Sequence, residues 1–253
     1  MSHFSDTMPY EHVRWIIVPA AGVGRRMGSV MPKQYLPLAG QNVLTVTLAR
    51  LHEAWPSAQL LLCLSEQDDY FDETMLPTNV RWQRVPGGAE RADSVWHGLQ
   101  ALKNKASAHD WVAVHDVARP CVRCSELHLL ERELCDDSVG GLLATPASDT
   151  MKRAHNGKCQ VKHTERRADL WHALTPQVFR YEVLYRAMAN AYQQAAINAE
   201  SIADTITDEA SAVEALGLSP RLVTGRRDNL KITHPEDLAL AEQIIAAQRY
   251  SSK

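Results

Sequence analysis

Long apolar runs are absent. Nowhere in the 253 residues does one approach the roughly 18 needed to cross a bilayer. The opening residues, MSHFSDTMPYEHVR, lack the basic-then-apolar layout of a secretory signal, so residues 1–12 read as a disordered or loosely attached leader. Cysteine is sparse and odd in number, five in all (Cys63, Cys121, Cys124, Cys135, Cys159), which fits free thiols in a reducing cytoplasm. Cys121 and Cys124 have the spacing of half a zinc or redox motif, but no second pair follows, and they read as buried or incidental thiols. There is no positive excess either. A formal net charge of −3 argues against a general nucleic-acid or membrane-surface binder. Linkers, repeats and low-complexity tracts are also missing, so residues 13–253 read as one domain.

Two familiar glycine motifs are missing as well. A dinucleotide fingerprint needs G-x-G-x-x-G and an acidic residue about 20 positions on. Here Gly22, Gly24 and Gly28 give G-x-G-x-x-x-G, and the next acidic residue is Glu53. No G-x-x-x-x-G-K-[ST] string occurs. What is present is VPAAGVGRRMGSVMPK, Val18–Lys33, after an apolar run (Val13–Val18) that reads as a short buried strand. Small residues at Ala20, Ala21, Gly22, Gly24 and Gly28 let the backbone turn tightly and approach a ligand. Successive N–H groups in such a loop wrap an anion, and Arg25, Arg26 and Lys33 add positive charge. The guest this suggests is a triphosphate.

Strands and helices then alternate. Helical spacing covers Asn42–Trp55, Ala89–Lys103, Glu126–Leu134, Glu182–Ala196, Asp208–Leu216 and a final stretch from Pro235, with a short helix at Gln67–Met75. Strands are expected at Leu60–Leu64, Val80–Val85, Trp111–Val114, Gly140–Ala144, Arg221–Val223 and Leu230–Thr233, and the chain returns to the body at Asp169–Phe179. The order implies an α/β fold with a mainly parallel, twisted sheet. Residues 149–164 break the pattern: they alternate weakly around an Asn156-Gly157 turn and hold too few apolar residues for core strands. Such a projecting β-hairpin arm, about 149–167, either packs on another chain or is a solvated excursion.

In open α/β sheets, ligands sit beyond the carboxyl ends of the strands. Four loops expected there share one character: Ala20–Lys33, Gly87–Ser94, His115–Pro120 and Thr224–Lys231. Each alone reads as a surface turn; their coincidence at one edge points to a site. His115, at the end of a buried strand, reads as a structurally satisfied histidine rather than a base.

The motifs in these loops, PAAGVGRRMG with PKQY, GGxxRxxSV (Gly87–Val95), VHDxARP (Val114–Pro120), DTMK, ALTPQ (Ala173–Gln177), TDEAS (Thr207–Ser211) and DNLKIT (Asp228–Thr233), resemble the 2-C-methyl-D-erythritol 4-phosphate cytidylyltransferase family. The resemblance runs in order from about Ile16 to Ala246. It implies a single Rossmann-like nucleotidyltransferase domain, a homodimer through the arm, and Mg²⁺-dependent attack of a sugar-alcohol phosphate on CTP in the non-mevalonate isoprenoid pathway. It further implies that Ala20, Ala21, Gly22 and Gly24 cradle the nucleotide, with Arg26 and Lys33 on the triphosphate. Gly88, Arg91 and Ser94 would meet cytosine and ribose, and Asp116 and Ala118 would lie near ribose, with Asp116 a weak candidate for the metal. Thr150, Arg167, Thr175, Thr207 and Lys231 would surround methylerythritol phosphate, Arg167 reaching from the partner's arm. Ala89, Val117 and a longer Gln193–Ala203 connection depart from the family pattern.

Both expected reactants are polyanions, and the attacking phosphate oxygen is already ionised. Positioning and electrostatic stabilisation by Arg26, Lys33 and Lys231 therefore suffice, with no protein general base. The rival reading is a cytidylyltransferase for another polyol phosphate such as ribitol 5-phosphate; a non-catalytic nucleotide-binding regulator is a second.

Overall fold

The structure is a computed structural model that describes residues 13–22, 28 and 31–251. The expected leader, and Gly24, Arg25 and Arg26 of the glycine loop, lie outside the described residues.

The chain opens with β1 (Trp15–Pro19), a minor pair β2 (Pro37–Leu38) and β3 (Gln41–Asn42), then α1 (Val43–Ala54) and β4 (Gln59–Leu64). It continues with β5 (Arg81–Pro86), α2 (Arg91–Ala101), β6 (Trp111–Val114), α3 (Cys124–Leu134) and β7 (Gly140–Pro146). The arm strands β8 (Lys152–Ala154) and β9 (Val161–Thr164) precede β10 (Trp171–Arg180) and α4 (Tyr181–Asn198). Last come α5 (Ile202–Thr205), α6 (Glu209–Glu214), β11 (Arg221–Thr224) and α7 (Pro235–Ser251).

Seven strands make the central sheet, in the order β11-β7-β10-β6-β1-β4-β5. β1 lies parallel to β4 and β6, β4 to β5, and β7 to β11. Only β10 runs against its neighbours, β6 and β7. The reason is connectivity. No crossover helix separates β7 from β10, and Trp171 re-enters opposite Pro146, so the chain must return antiparallel.

Period-two alternation splits the strand side chains between two faces. Ile16, Val18, Leu60 and Leu62 join Leu44, Leu48, Leu51, Leu127 and Leu130 of α1 and α3. Ile17, Leu61, Cys63 and Val114 join Val95 and Leu99 of α2, Leu184 and Met188 of α4, and Val213 of α6. A third cluster packs Ala241 and Ile245 of α7 on Val43 and Val46 of α1, enclosing Ala118 and Ile232. It clamps together two loops of the future site.

Local chemistry explains the boundaries. The Asn42 side chain accepts from the Thr45 N–H at 2.8 Å and starts α1, which ends before Pro56. The helix expected at Gln67–Met75 shrinks to one 3₁₀ turn, Glu73–Met75. Asp68 takes the N–H groups of Tyr70 and Phe71, and Asp72 that of Thr74, so side chains compete with helical bonding. The strand expected at Leu230–Thr233 does not form. β11 has only β7 as a sheet partner, and Ile232 is buried against α7 and α1, joined to Ala118 by one backbone bond of 2.8 Å. The helix expected at Asp208–Leu216 is shorter, Glu209–Glu214, with Asp208 as its cap. α4 runs on to Asn198, so the first half of the Gln193–Ala203 connection is helix.

The arm is a hairpin whose two strands are wholly exposed. Gly157 takes the left-handed φ of 69°, but the loop is wider than two residues: His155 pairs with Gln160, and the register breaks at Ala154.

Candidate active site

Because β1, β5 and β6 are parallel, the loops that leave them open on one edge. Backbone bonds fix each exit: Ala20 N–H to the Cys63 carbonyl, Gly87 N–H to Leu64, and His115 N–H to Ile17. Gly87 lets two of these loops touch, since a Cβ there would stand 2.2 Å from that of Ala21. Between the loops lies a cavity of about 260 Å³. Ala20, Ala21, Gly22, Lys33, Gly88, Arg91, Ser94, Asp116, Ala118 and Lys231 all line it. The expected nucleotide loop, base loop and late lysine are therefore brought together.

Lys33 sits on a 3₁₀ turn, Lys33–Tyr35, whose buried Gln34 donates to the Ala20 carbonyl at 2.7 Å. The Lys33 ammonium donates to the Ile232 carbonyl at 3.2 Å, which ties it to the loop that carries Lys231. The Gly88 N–H donates to Ser94 Oγ at 3.0 Å, so the base loop folds onto the start of α2.

Asp116 is the hub. Arg91 Nε reaches its Oδ1 at 2.6 Å, Lys231 Nζ its Oδ2 at 2.7 Å, and Arg119 Nε stands 3.7 Å from Oδ2. Arg91 also grips the buried Glu209 with both terminal nitrogens, at 2.6 and 2.9 Å. Burial alone would raise the Asp116 carboxyl, but Arg91, Lys231 and Arg119 outweigh it and hold the group well below the usual carboxylate range. Burial likewise lowers the Arg91 guanidinium, and Glu209 and Asp116 more than reverse this. Three cations face two carboxylates here, and Lys33 and Glu90 line the same cavity, so four cations stand against three carboxylates. The site has a positive surplus suited to a polyanion.

Behind Asp116 runs a hydrogen-bonded chain. The Asp116 N–H donates to Thr175 Oγ1 at 3.1 Å, and Thr175 Oγ1 lies 3.1 Å from His115 Nδ1. His115 Nε2 is 3.2 Å from the Arg119 carbonyl, so Nε2 carries the proton and Nδ1 accepts from the threonine. Burial pushes His115 down to about 4. It is a neutral structural histidine, as its place at a strand end suggests. Thr175 is buried and occupied in this chain.

The remaining expected substrate residues are placed differently. Thr150 and Thr207 are exposed, Thr207 bonding to Ser211 at the α6 cap. Arg167 is exposed at the arm's root and donates to the Ser148 carbonyl. None of the three lines the cavity. Conversely, Arg119 and Glu209 were not singled out from sequence, although both stand inside quoted motifs. Their signal was a charged residue beside an apolar motif position. Only the fold reveals that both are buried against Asp116 and Arg91.

Asp116 does not fit a resident Mg²⁺ in this arrangement, because both of its oxygens are engaged by cations. Among the described residues, no group of three or more His, Cys, Asp or Glu is suited to hold a metal. No helix among them is long and apolar enough to cross a membrane.

A mostly parallel sheet with glycine-bearing loops and a cation cluster at its carboxyl edge defines an α/β nucleotidyltransferase. The profile of the 2-C-methyl-D-erythritol 4-phosphate cytidylyltransferase family matches residues 14–247, and the chain belongs to that family of CTP-dependent enzymes. The enzyme of that name from Chromohalobacter salexigens is 54% identical over 239 residues, 94% of this chain and 92% of that protein. Its Vibrio atlanticus counterpart is 49% identical over 226 residues, 89% of this chain and 92% of that protein. Among solved structures, a 4-diphosphocytidyl-2C-methyl-D-erythritol synthase superposes with a TM-score of 0.76 at 34% identity, covering 92% of this chain and 98% of the other. The Francisella tularensis enzyme gives 0.75 at 30% identity, covering 91% and 99%.

Proposed function

We propose that this chain transfers the cytidylyl group of CTP to 2-C-methyl-D-erythritol 4-phosphate in the non-mevalonate route to isoprenoids. The products are 4-diphosphocytidyl-2-C-methyl-D-erythritol and pyrophosphate. Family membership supports the reaction, and does not favour the polyol rival. The observation that carries the reading in the molecule itself is the convergence of Lys33, Arg91 and Lys231 on one cavity around Asp116, with the buried Arg119 behind that carboxylate.

In this reading a substrate phosphate oxygen, already anionic, forms a bond to the α-phosphorus of CTP while the bond to pyrophosphate breaks. No proton has to leave the attacking group, so His115 stays neutral and structural. Lys33, with Arg26 of the same loop, neutralises the charge that gathers on the α-phosphate. Ala20, Ala21, Gly22 and Gly24 bring backbone to the triphosphate, and Gly88, Ser94 and Ala118 border base and ribose. Lys231 meets the incoming phosphate, held in place by Asp116; Arg91 acts here as a strut between Asp116 and Glu209. A Mg²⁺ bound together with CTP would add to the neutralisation of phosphate charge, and no residue of the chain is assigned to hold it. Thr150, Thr207 and the partner's Arg167 complete the alcohol site in a cytoplasmic homodimer joined through the arm.

Pyrophosphate release with CTP is the test. It is expected with methylerythritol phosphate and weak with ribitol 5-phosphate; the reverse preference overturns the substrate assignment. Lys33→Ala should lower kcat by roughly 10²–10³, the scale for losing one preorganised donor, with KM for CTP moving much less. A large rise in KM at unchanged kcat would assign Lys33 to ground-state binding.

A further inference from the structure

One helix outside the cavity reaches the loop that borders it. α4 lies on the α2 side of the sheet, and near its end Tyr192 donates its hydroxyl to Asp93 Oδ1 at 2.6 Å. The ring is held against Trp96 of α2, centroids 5.5 Å apart, and Trp96 also packs on Tyr185 at 5.0 Å. Asp93 in turn is the inner brace of the Gly87–Ser94 loop. Its Oδ2 accepts the Glu90 N–H at 2.9 Å, which fixes the start of α2. Gly88 lies directly over it: a Cβ on Gly88 would stand 2.1 Å from that of Asp93. The next residue, Ser94, holds the Gly88 N–H. The path from α4 to the cavity wall is thus two side chains long, and every link is a hydrogen bond or a van der Waals contact.

We propose that Tyr192 is a positioning residue for the base end of the cavity, setting the Gly87–Ser94 loop through Asp93. This inference rests on the assignment of that loop to the cytosine and ribose of CTP. A carboxylate at a helix start has several rotamers, and the one observed here gives Oδ2 to the Glu90 N–H and Oδ1 to the Tyr192 hydroxyl. The phenol selects that rotamer. Burial, then the bond to Asp93, push the phenol above its ordinary range, so it remains a donor at neutral pH. Without it, Asp93 loses the contact that orients it. The loop then samples geometries that no longer match a pyrimidine.

Tyr192→Phe tests this, because it removes one oxygen and leaves the ring on Trp96. Calorimetric binding of CTP and UTP is compared for wild type and variant, with KM for methylerythritol phosphate and the melting temperature alongside. The expected result is a CTP dissociation constant raised about three- to tenfold, a fraction of what the loss of a hydrogen bond to a charged group can cost. The CTP-over-UTP preference falls with it, and KM for methylerythritol phosphate stays within twofold. A lowered melting temperature with CTP affinity and base preference intact overturns the proposal, because it leaves Tyr192 as packing only. An equal loss for both substrates also overturns it. Asp93→Asn supplies the second arm. If the path is as described, Tyr192→Phe adds nothing to that variant, whereas additive effects refute it. Wild-type turnover separates the two readings: an enzyme that ignores CTP sinks the functional assignment, and an active one with an indifferent Tyr192→Phe sinks only this inference.

Discussion

His115 shows how far a single residue can be read. Its position at the end of an apolar strand indicates burial, and burial predicts a neutral ring; both hold, with His115 pushed down to about 4 by desolvation. The sign of the consequence for stability follows. Between the ordinary value of 6.5 and about 4, the unfolded chain binds a proton that the folded one does not. The contribution is therefore fully present above pH 6.5 and drains away as pH falls towards 4. Its size is about 3 kcal/mol over that window. His115→Gln should flatten this part of the profile of unfolding free energy against pH; a wild-type and a variant curve that stay parallel from pH 7 to 4 would contradict it. Arg119 and Glu209 were not legible in the same way. Each is a charged residue in a loop motif, and a solvated surface position is the default for such a residue. What buries them is the convergence of three loops on Asp116, a long-range fact that no local pattern contains.

At the level of elements, periodicity located the helices that pack on the sheet, and the structure adds the Asn42 cap that starts α1. One error among these has a plain cause: apolar residues do not declare their partner. Leu230 and Ile232 have the look of a strand, yet they pack on α7 and α1, because the helices rather than the sheet offer them a surface. Gly98 carries a related lesson. In an exposed helix, Gly→Ala stabilises by about 1 kcal/mol through propensity. Within α2, however, a Cβ at Gly98 would stand 2.8 Å from Cγ2 of Ile17, a fully buried, β-branched side chain of β1. Overpacking of this kind costs about 1–3 kcal/mol, so the steric penalty should win. Gly98→Ala is expected to lower the midpoint of urea unfolding; a raised midpoint would show that β1 yields easily.

For the whole molecule, the sheet's parallel character was legible from the alternation of elements, and the reversal of β10 was not. Its direction depends on what connects it to β7, and a polar hairpin gives no sign of where its two ends rejoin the body. The same hairpin carries the prediction about assembly. If the two arms of a homodimer place Arg167 in the partner's site while Lys33 serves its own, each contact occurs twice by symmetry. Arg167→Ala and Lys33→Ala proteins should then each be nearly inactive. Unfolded together in equal amounts and refolded, they should regain about a quarter of wild-type sites, since half the dimers are mixed and each has one intact site. No recovery, with mixed dimers demonstrated, would place Arg167 in its own chain's site.

The pairing of Pro146 with Trp171 has a further consequence. The arm is a parenthesis in the chain: it opens and closes at facing positions on neighbouring strands, and the sentence around it reads on without a gap. Sheet, cavity wall and helical layers are written in the text outside the brackets. What stands inside is therefore free of the core's packing, and answers instead to the site and the second chain that its Thr150 and Arg167 would meet.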